Sequence, residues 1–345
     1  MNIETSRVPS RFTQLTTPSR SRRRLVRGAI ALMLAIIVAC GYYVFLSGGP
    51  VTAGGWVKDP GSPVIGGSLG TTFDISVLHQ DGLYRAWFSW RPKNAIAYVE
   101  SSDGIIWSDP VIVLAPTDSG WELAVNRPTV IATANGYAMW YTGQTDERSA
   151  IGYATSPDGI NWTRVTTTPV LVADRPWEKQ AVMSPDVLYD IASGQYRMWY
   201  SGGDQYEPDA IGYATSSDGI HWVKDLANPV FTGSGAGKWD GLKVAAADVV
   251  PDAGGYVMFY IGYADAAAQH AQIGFARSAD GINNWVRSTA NPIIRPGHFL
   301  DWDHDAVYRP SVLHEAGRWV LWYNGRRGDT EQIGRAIHVG NDLGN

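Results

Sequence analysis

Cysteine is almost absent from this 345-residue chain, with Cys40 as its one copy. A lone thiol builds neither a disulfide framework nor a thiolate metal cluster. Charge is also thin, at 18% of residues against 45% hydrophobic, a balance that excludes a disordered or collagen-like chain. Basic residues are scarce beyond the N-terminus. Seven of the 28 Lys and Arg fall in the first 50 residues with one of the 33 acids, leaving 21 basic and 32 acidic residues over 51–345, a net of −11. Nucleic acid binding requires a basic surface that displaces counterions, so no nucleic-acid partner is expected. Phe is scarce too, at 8 residues, whereas Trp and Tyr number 15 and 17. Large rings with a polar handle suit half-buried strands and sugar-stacking surfaces.

One uncharged apolar stretch stands out, the 19 residues from Gly28 to Leu46, preceded by Arg20, Arg22, Arg23, Arg24 and Arg27. That length crosses a bilayer as a helix, and the basic flank stays in the cytoplasm. The expected organisation is a basic cytoplasmic tail over 1–27, a transmembrane signal-anchor over 28–46, a linker over 47–55 and one domain over 56–345. The domain would then lie outside the cell membrane, extracellular or periplasmic. Two finer readings stay open. Ser21-Arg22-Arg23-Arg24-Leu25-Val26-Arg27 is similar to a twin-arginine export signal, and Ile37-Val38-Ala39-Cys40 to a lipobox with Cys40 as the lipidated residue.

The remainder repeats itself. An aromatic pair recurs as Trp87-Phe88, Trp140-Tyr141, Trp199-Tyr200, Phe259-Tyr260 and Trp322-Tyr323. A second strand follows each pair, as Ile96-Ala97-Tyr98, Ile151-Gly152-Tyr153, Ile211-Gly212-Tyr213, Ile273-Gly274-Phe275 and Ile333-Gly334-Arg335. Four copies continue into a Ser-x-Asp-Gly turn centred on Asp103, Asp158, Asp218 and Asp280, each with a Trp behind it. Asp-Gly between β-rich runs marks a hairpin, because Gly accepts positive φ and Asp bonds its own backbone. Each unit therefore reads as four short antiparallel strands, and five radial units make an all-β, five-bladed β-propeller over 56–345. The fifth unit stops before its turn. Its missing strand is found in Trp56-Val57-Lys58-Asp59-Pro60, which matches Trp222-Val223-Lys224-Asp225-Leu226. Residues 56–65 are expected to complete the last blade and close the ring, which leaves no free sheet edge.

The units resemble the five-bladed β-propeller glycosidases, the superfamily of arabinanases, β-xylosidases, levansucrases and invertases. Segments such as Pro185-Asp186-Val187 and Ile211-Gly212-Tyr213-Ala214-Thr215-Ser216-Ser217-Asp218-Gly219 carry the likeness. The resemblance implies a carbohydrate substrate and no cofactor. It leaves open three activities: a membrane-tethered glycosidase acting on a furanoside or a longer glycan through a carboxylate pair, a non-catalytic propeller that binds glycan or protein, and a sialidase-like hydrolase of acidic sugars.

Aligning the innermost strands by parity gives two rings of residues facing the axis. The upper ring is Asp74, Arg127, Ser184, Ala246 and Arg309, and the deeper one Ser76, Thr129, Asp186, Asp248 and Ser311. Polar side chains in otherwise apolar strands need water or partners, so both rings are expected along a central channel, with an axial Ca²⁺ at the deeper one left open. Asp74, in Phe73-Asp74-Ile75-Ser76-Val77, takes the place of the superfamily's first-blade aspartate, which the resemblance makes the general base or the nucleophile. Ile75 stands where the superfamily pattern has Pro.

Hydrolysis also needs a protonated carboxyl. Trp121-Glu122, Trp177-Glu178, Trp239-Asp240 and Trp302-Asp303 form a repeated Trp-acid pair, and four copies point first to a structural device. The resemblance singles out Glu178, from the third blade, as the acid, with Asp186 tuning it. Asp240, Asp303 and Asp248 are candidates for substrate contact together with Arg127 and Arg309, whose guanidinium forks match carboxylate, sulfate or phosphate oxygens.

Overall fold

The computed structural model describes residues 29–38, 51–264 and 270–344. It divides into two compact units, 1–49 and 50–345. In the first, residues 29–38 form a helix, and no described helix is long and apolar enough to cross a membrane. The rest of the expected anchor, Gly28 and 39–46 with Cys40, lies outside the described residues.

The second unit is built from strands. After β1 (Trp56–Lys58) come β2 (Thr72–Gln80), β3 (Leu83–Trp90), β4 (Ala95–Ser101) and β5 (Val111–Leu114), paired in sequence order as an antiparallel group. The next two groups are β6 (Ala124–Thr133), β7 (Gly136–Gln144), β8 (Ser149–Ser156) and β9 (Thr163–Arg164), then β10 (Ala181–Asp190), β11 (Gln195–Asp204), β12 (Glu207–Ser216) and β13 (Val223–Lys224). A parallel bridge between Ser149 and Ala181 joins these two into one eight-stranded sheet, so among the described residues the sheets number four where five separate ones were expected. β14 (Lys243–Asp252), β15 (Gly255–Tyr263), β16 (Gln272–Ser278) and β17 (Val286–Arg287) form the fourth group. The last contains β18 (Ala306–Glu315), β19 (Arg318–Arg327) and β20 (Thr330–Val339), and its fourth strand is β1, with Trp56 opposite His338 and Lys58 opposite Ala336. Val64 and Ile65 continue along β20 by bonding Ile333.

The repeated motifs explain how the groups pack. In each Ser-x-Asp-Gly turn the Asp Oδ1 accepts two backbone N–H groups, as Asp158 does from Ile160 and Asn161, and the Gly takes positive φ. The glycine carbonyl is then free to accept an indole N–H from the preceding group: Trp87 bonds Gly159 at 2.8 Å, Trp140 bonds Gly219 at 2.9 Å and Trp199 bonds Gly281 at 2.8 Å. Trp322 of the last group bonds Gly104 of the first at 3.1 Å. The fourth group has Phe259 at this place, and the group after it has no such turn, so both partners change together.

The Gly of each Ile-Gly pair has a steric cause. A Cβ on Gly152 would stand 2.4 Å from Tyr141 Cζ, on Gly212 2.6 Å from Tyr200 Cζ, and on Gly274 and Gly334 2.5 Å from Trp239 and Trp302. The first group holds Ala97 at the corresponding position, beside Phe88. Apolar clusters span neighbouring groups, as Trp140, Val182, Met198 and Tyr200 do, and Ile75, Val77, Trp322 and Ile333 pack the first group on the last. Burying each such large side chain contributes about 1.5–3 kcal/mol.

Candidate functional site

Every innermost strand of the five groups is broken by a β-bulge at the same place. Pairing shifts register between Phe73 and Ser76, Asn126 and Thr129, Met183 and Asp186, Ala245 and Asp248, and Tyr308 and Ser311. The bulged residues, Asp74, Arg127, Ser184, Ala246 and Arg309, all sit in the left-handed region with φ between 49° and 52°. For a non-Gly residue this conformation costs about 1–3 kcal/mol and persists only where the surroundings enforce it. In four of the five, the bulged N–H is received by the residue after the aromatic pair in the neighbouring group. Ser89 Oγ accepts the Arg127 N–H, Thr142 Oγ1 that of Ser184, Ser201 Oγ that of Ala246 and Asn324 Oδ1 that of Asp74, at 2.8–3.0 Å. Ile261 occupies this position in the fourth group and has no such acceptor for Arg309.

The five bulged residues line one cavity of about 300 Å³. Asp74 is 3% exposed. Its Oδ1 accepts the Asn324 side-chain amide at 2.6 Å, and its Oδ2 lies 3.2 Å from Arg127 Nε. Burial pushes this carboxyl above the usual aspartate range, although Arg127 and Arg309 pull it back. Two further carboxylates reach the cavity. Glu331 pairs with Arg91 at 2.7 Å and accepts the Tyr308 hydroxyl, and Glu207, largely exposed, pairs with Lys243. A second cavity of about 290 Å³ shares Phe73, Arg91, Gln144 and Tyr206 with the first.

The deeper ring has a different task. Ser76 Oγ accepts the Val130 N–H, Asp186 Oδ2 that of Val249, Asp248 Oδ2 that of Val312 and Ser311 Oγ that of Val77. These bonds tie β2 to β6, β10 to β14, β14 to β18 and β18 to β2. Neither Asp186 nor Asp248, expected in acid tuning and substrate contact, lines the cavity. Loss of water raises the Asp186 carboxyl to about 7, and burial with the neighbouring Asp186 charge raises Asp248 well above its usual range. Among the described residues no cluster of three or more His, Cys, Asp or Glu is placed to hold a metal ion.

The Trp-acid pairs also lie outside the cavity. Glu178 is fully buried, 2.6 Å from Lys224 Nζ, and accepts the Tyr200 hydroxyl and the N–H groups of Asp174 and Arg175. Asp240 holds Tyr260 and Arg287, and Asp303 holds Tyr323 and Lys58. Glu122 repeats the pattern with Tyr141 and Arg164. Each acid thus pins the Tyr of the aromatic pair to a base on the outermost strand, and none lines the cavity. Glu178, Asp240 and Asp303, expected at the site, are each held instead by a tyrosine hydroxyl and a base outside the cavity. The first group, with Phe88 in place of Tyr, carries no such acid. Glu331 and Glu207, both absent from the repeated motifs, are cavity carboxylates that the sequence did not single out.

Residues 76–239 match the family described as the N-terminal domain of glycosyl hydrolases family 32. Two Mycobacterium tuberculosis proteins, uncharacterized protein MT1551 of strain CDC 1551 / Oshkosh and uncharacterized protein Rv1502 of strain ATCC 25618 / H37Rv, are 30% identical over 213 residues. The match covers 60% of this chain and 61% of the length of those relatives. Among solved structures, a thermostable family-43 glycoside hydrolase is similar at TM-score 0.64 and 18% identity, over 79% of this chain and 91% of that one. A protein from work on GH130 mannoside phosphorylases and glycoside hydrolases that target β-1,2 mannosidic linkages in Candida mannan is similar at TM-score 0.67 and 18% identity, over 84% and 96%. The resemblance read from the repeats is therefore present in both sequence and fold.

Proposed function

Given a chain similar to the five-bladed β-propeller glycosidases, we propose that its strand groups are five blades of one ring and that the cavity at Asp74 hydrolyses a glycosidic bond. One observation carries this reading: Asp74 and Glu331, two carboxylates each gripped by its own Arg, line the same cavity. Glycoside hydrolysis needs such a pair with divided tasks. Asp74, whose proton affinity is raised by burial, is the proton-transfer group. Glu331, held by the Arg91 guanidinium and the Tyr308 hydroxyl, is the anionic partner facing the positive charge that develops on the sugar. The substrate is a furanoside or a longer glycan, and the shared wall of the two cavities supports a second sugar unit beside Phe73 and Tyr206. The arginine-flanked stretch 28–46 supports a tether that holds this domain outside the cell membrane.

A second reading, a binding propeller without chemistry, draws on the same ion pairs, since an Arg on each carboxylate also suits a rigid recognition surface. Product release by the purified full chain separates the two. The panel holds furanosides, neutral glycans and uronic-acid glycans, run beside Asp74→Asn and Glu331→Gln. Turnover reduced at least a hundredfold by each variant supports hydrolysis. Binding without turnover on every substrate supports recognition.

A further inference from the structure

Arg309 stands apart from the other arginines of known pairing in the cavity. Arg91 and Arg127 each meet a carboxylate, whereas among the described residues no carboxylate forms an ion pair with Arg309. The residue is 4% exposed and lines the cavity. Its guanidinium donates to two backbone carbonyls, Ala247 at 3.3 Å and Pro185 at 3.2 Å, and its Nε has no partner. Those contacts are long for an N–H donor, so most of the fork's donating capacity is unused. A guanidinium keeps its charge at any ordinary pH, and burying that charge without a counter-ion is unfavourable.

The acids at longer range do not cancel it. Asp74 is already engaged by Arg127 and Asn324. Burial lifts Asp186 to about 7 and Asp248 well above its usual range, so near neutral pH neither supplies a full counter-charge to Arg309. What remains is a buried, forked cation at the wall of a cavity that Asp74 and Glu331 also line.

We propose that the sugar accepted by this cavity carries an oxyanion, a carboxylate of the uronic-acid type, and that Arg309 is the residue that receives it. The proposal rests on the glycan reading of the site and names the class of glycan. A planar carboxylate matches the guanidinium fork in bidentate fashion, which a neutral hydroxymethyl group does not. The same oxyanion chemistry would also receive free inorganic phosphate, and the test separates the two sources.

The test is calorimetric titration of the purified full chain with glucuronate and galacturonate against glucose and galactose, with inorganic phosphate as a further arm. At least one uronate is expected to bind tenfold or more tightly than its neutral parent. Arg309→Gln should reduce that preference below threefold, with Arg309→Lys intermediate because it keeps the charge and loses the fork. The wild-type comparison stands even where a variant fails to fold. Equal binding of uronates and neutral sugars, or a uronate preference that survives Arg309→Gln in a folded protein, overturns the proposal. Phosphate binding that depends on Arg309 and exceeds that of both uronates overturns the sugar assignment. A uronate preference without turnover of any glycan supports the oxyanion site and removes the hydrolase reading instead.

Discussion

Replacing Glu178 by Gln tests whether the Trp-acid pairs are scaffold or chemistry. The carboxylate is fully buried and holds four donors: Lys224 Nζ at 2.6 Å, Tyr200 Oη at 2.7 Å, and the N–H groups of Asp174 and Arg175 at 2.8 and 3.0 Å. Breaking a buried ion pair from one side costs roughly 3–5 kcal/mol, because the remaining charge stays out of water. Lys224 retains Asp174 at 2.6 Å, an exposed partner, which places the loss near the lower end, about 3 kcal/mol. At roughly 2 °C of melting temperature per kcal/mol for a domain of this size, Glu178→Gln should melt about 6 °C lower. The assay is urea and thermal unfolding beside turnover per folded molecule. Turnover should be unchanged, since Glu178 does not line the cavity. A double variant, Glu178→Gln with Lys224→Met, should regain part of the loss by removing the orphaned charge. Unchanged stability with lost turnover would refute this reasoning and return Glu178 to the role of acid.

Three further outcomes follow from the same geometry. Asp186 is raised from 3.8 to about 7 on folding, so between about pH 4 and 7 the folded state holds a proton that the unfolded chain has released. Stability should fall as pH rises through that window, and Asp186→Asn, which still accepts the Val249 N–H, should flatten the slope of urea midpoint against pH. Gly212→Ala places a Cβ 2.6 Å from Tyr200 Cζ, a ring that Glu178 pins, and should cost about 1–3 kcal/mol in urea unfolding. An unchanged midpoint there would show that the aromatic ring gives way. Ser201→Ala strips the acceptor from the Ala246 N–H and should cost about 1–3 kcal/mol by the same measurement, whereas a loss well under 1 kcal/mol would mean that the bulge holds itself.

Much of the fold was legible because its motifs repeat. The aromatic pair, the Ser-x-Asp-Gly turn and the match of Trp56-Val57-Lys58 to Trp222-Val223-Lys224 each correspond to a contact, including the pairing of β1 with β20. Strand parity brought out the upper ring, and all five of its members line the cavity. The bulges were not legible, because Asp74, Arg127, Ser184, Ala246 and Arg309 share no residue type that favours positive φ. Nor was the division of the acids. Four copies of Trp-acid did point to a structural device, and the Tyr and the base that complete it were present in the sequence at fixed offsets. The absence of the acid beside Phe88 was a further signal. Glu331 gave none, since it lies on a single hairpin strand and reaches Asp74's cavity only through the meeting of the first and last groups. Contacts between segments about 250 residues apart, such as Asn324 with Asp74, leave no local mark.

The most direct test of the account is hydrolysis by the full chain with Asp74→Asn and Glu331→Gln measured side by side on whichever glycan the wild type cleaves. Both substitutions are predicted to reduce kcat per folded molecule at least a hundredfold while substrate binding stays near wild type. Turnover that survives either change would contradict the assignment of the carboxylate pair, and with it the claim that this cavity is where the bond is broken.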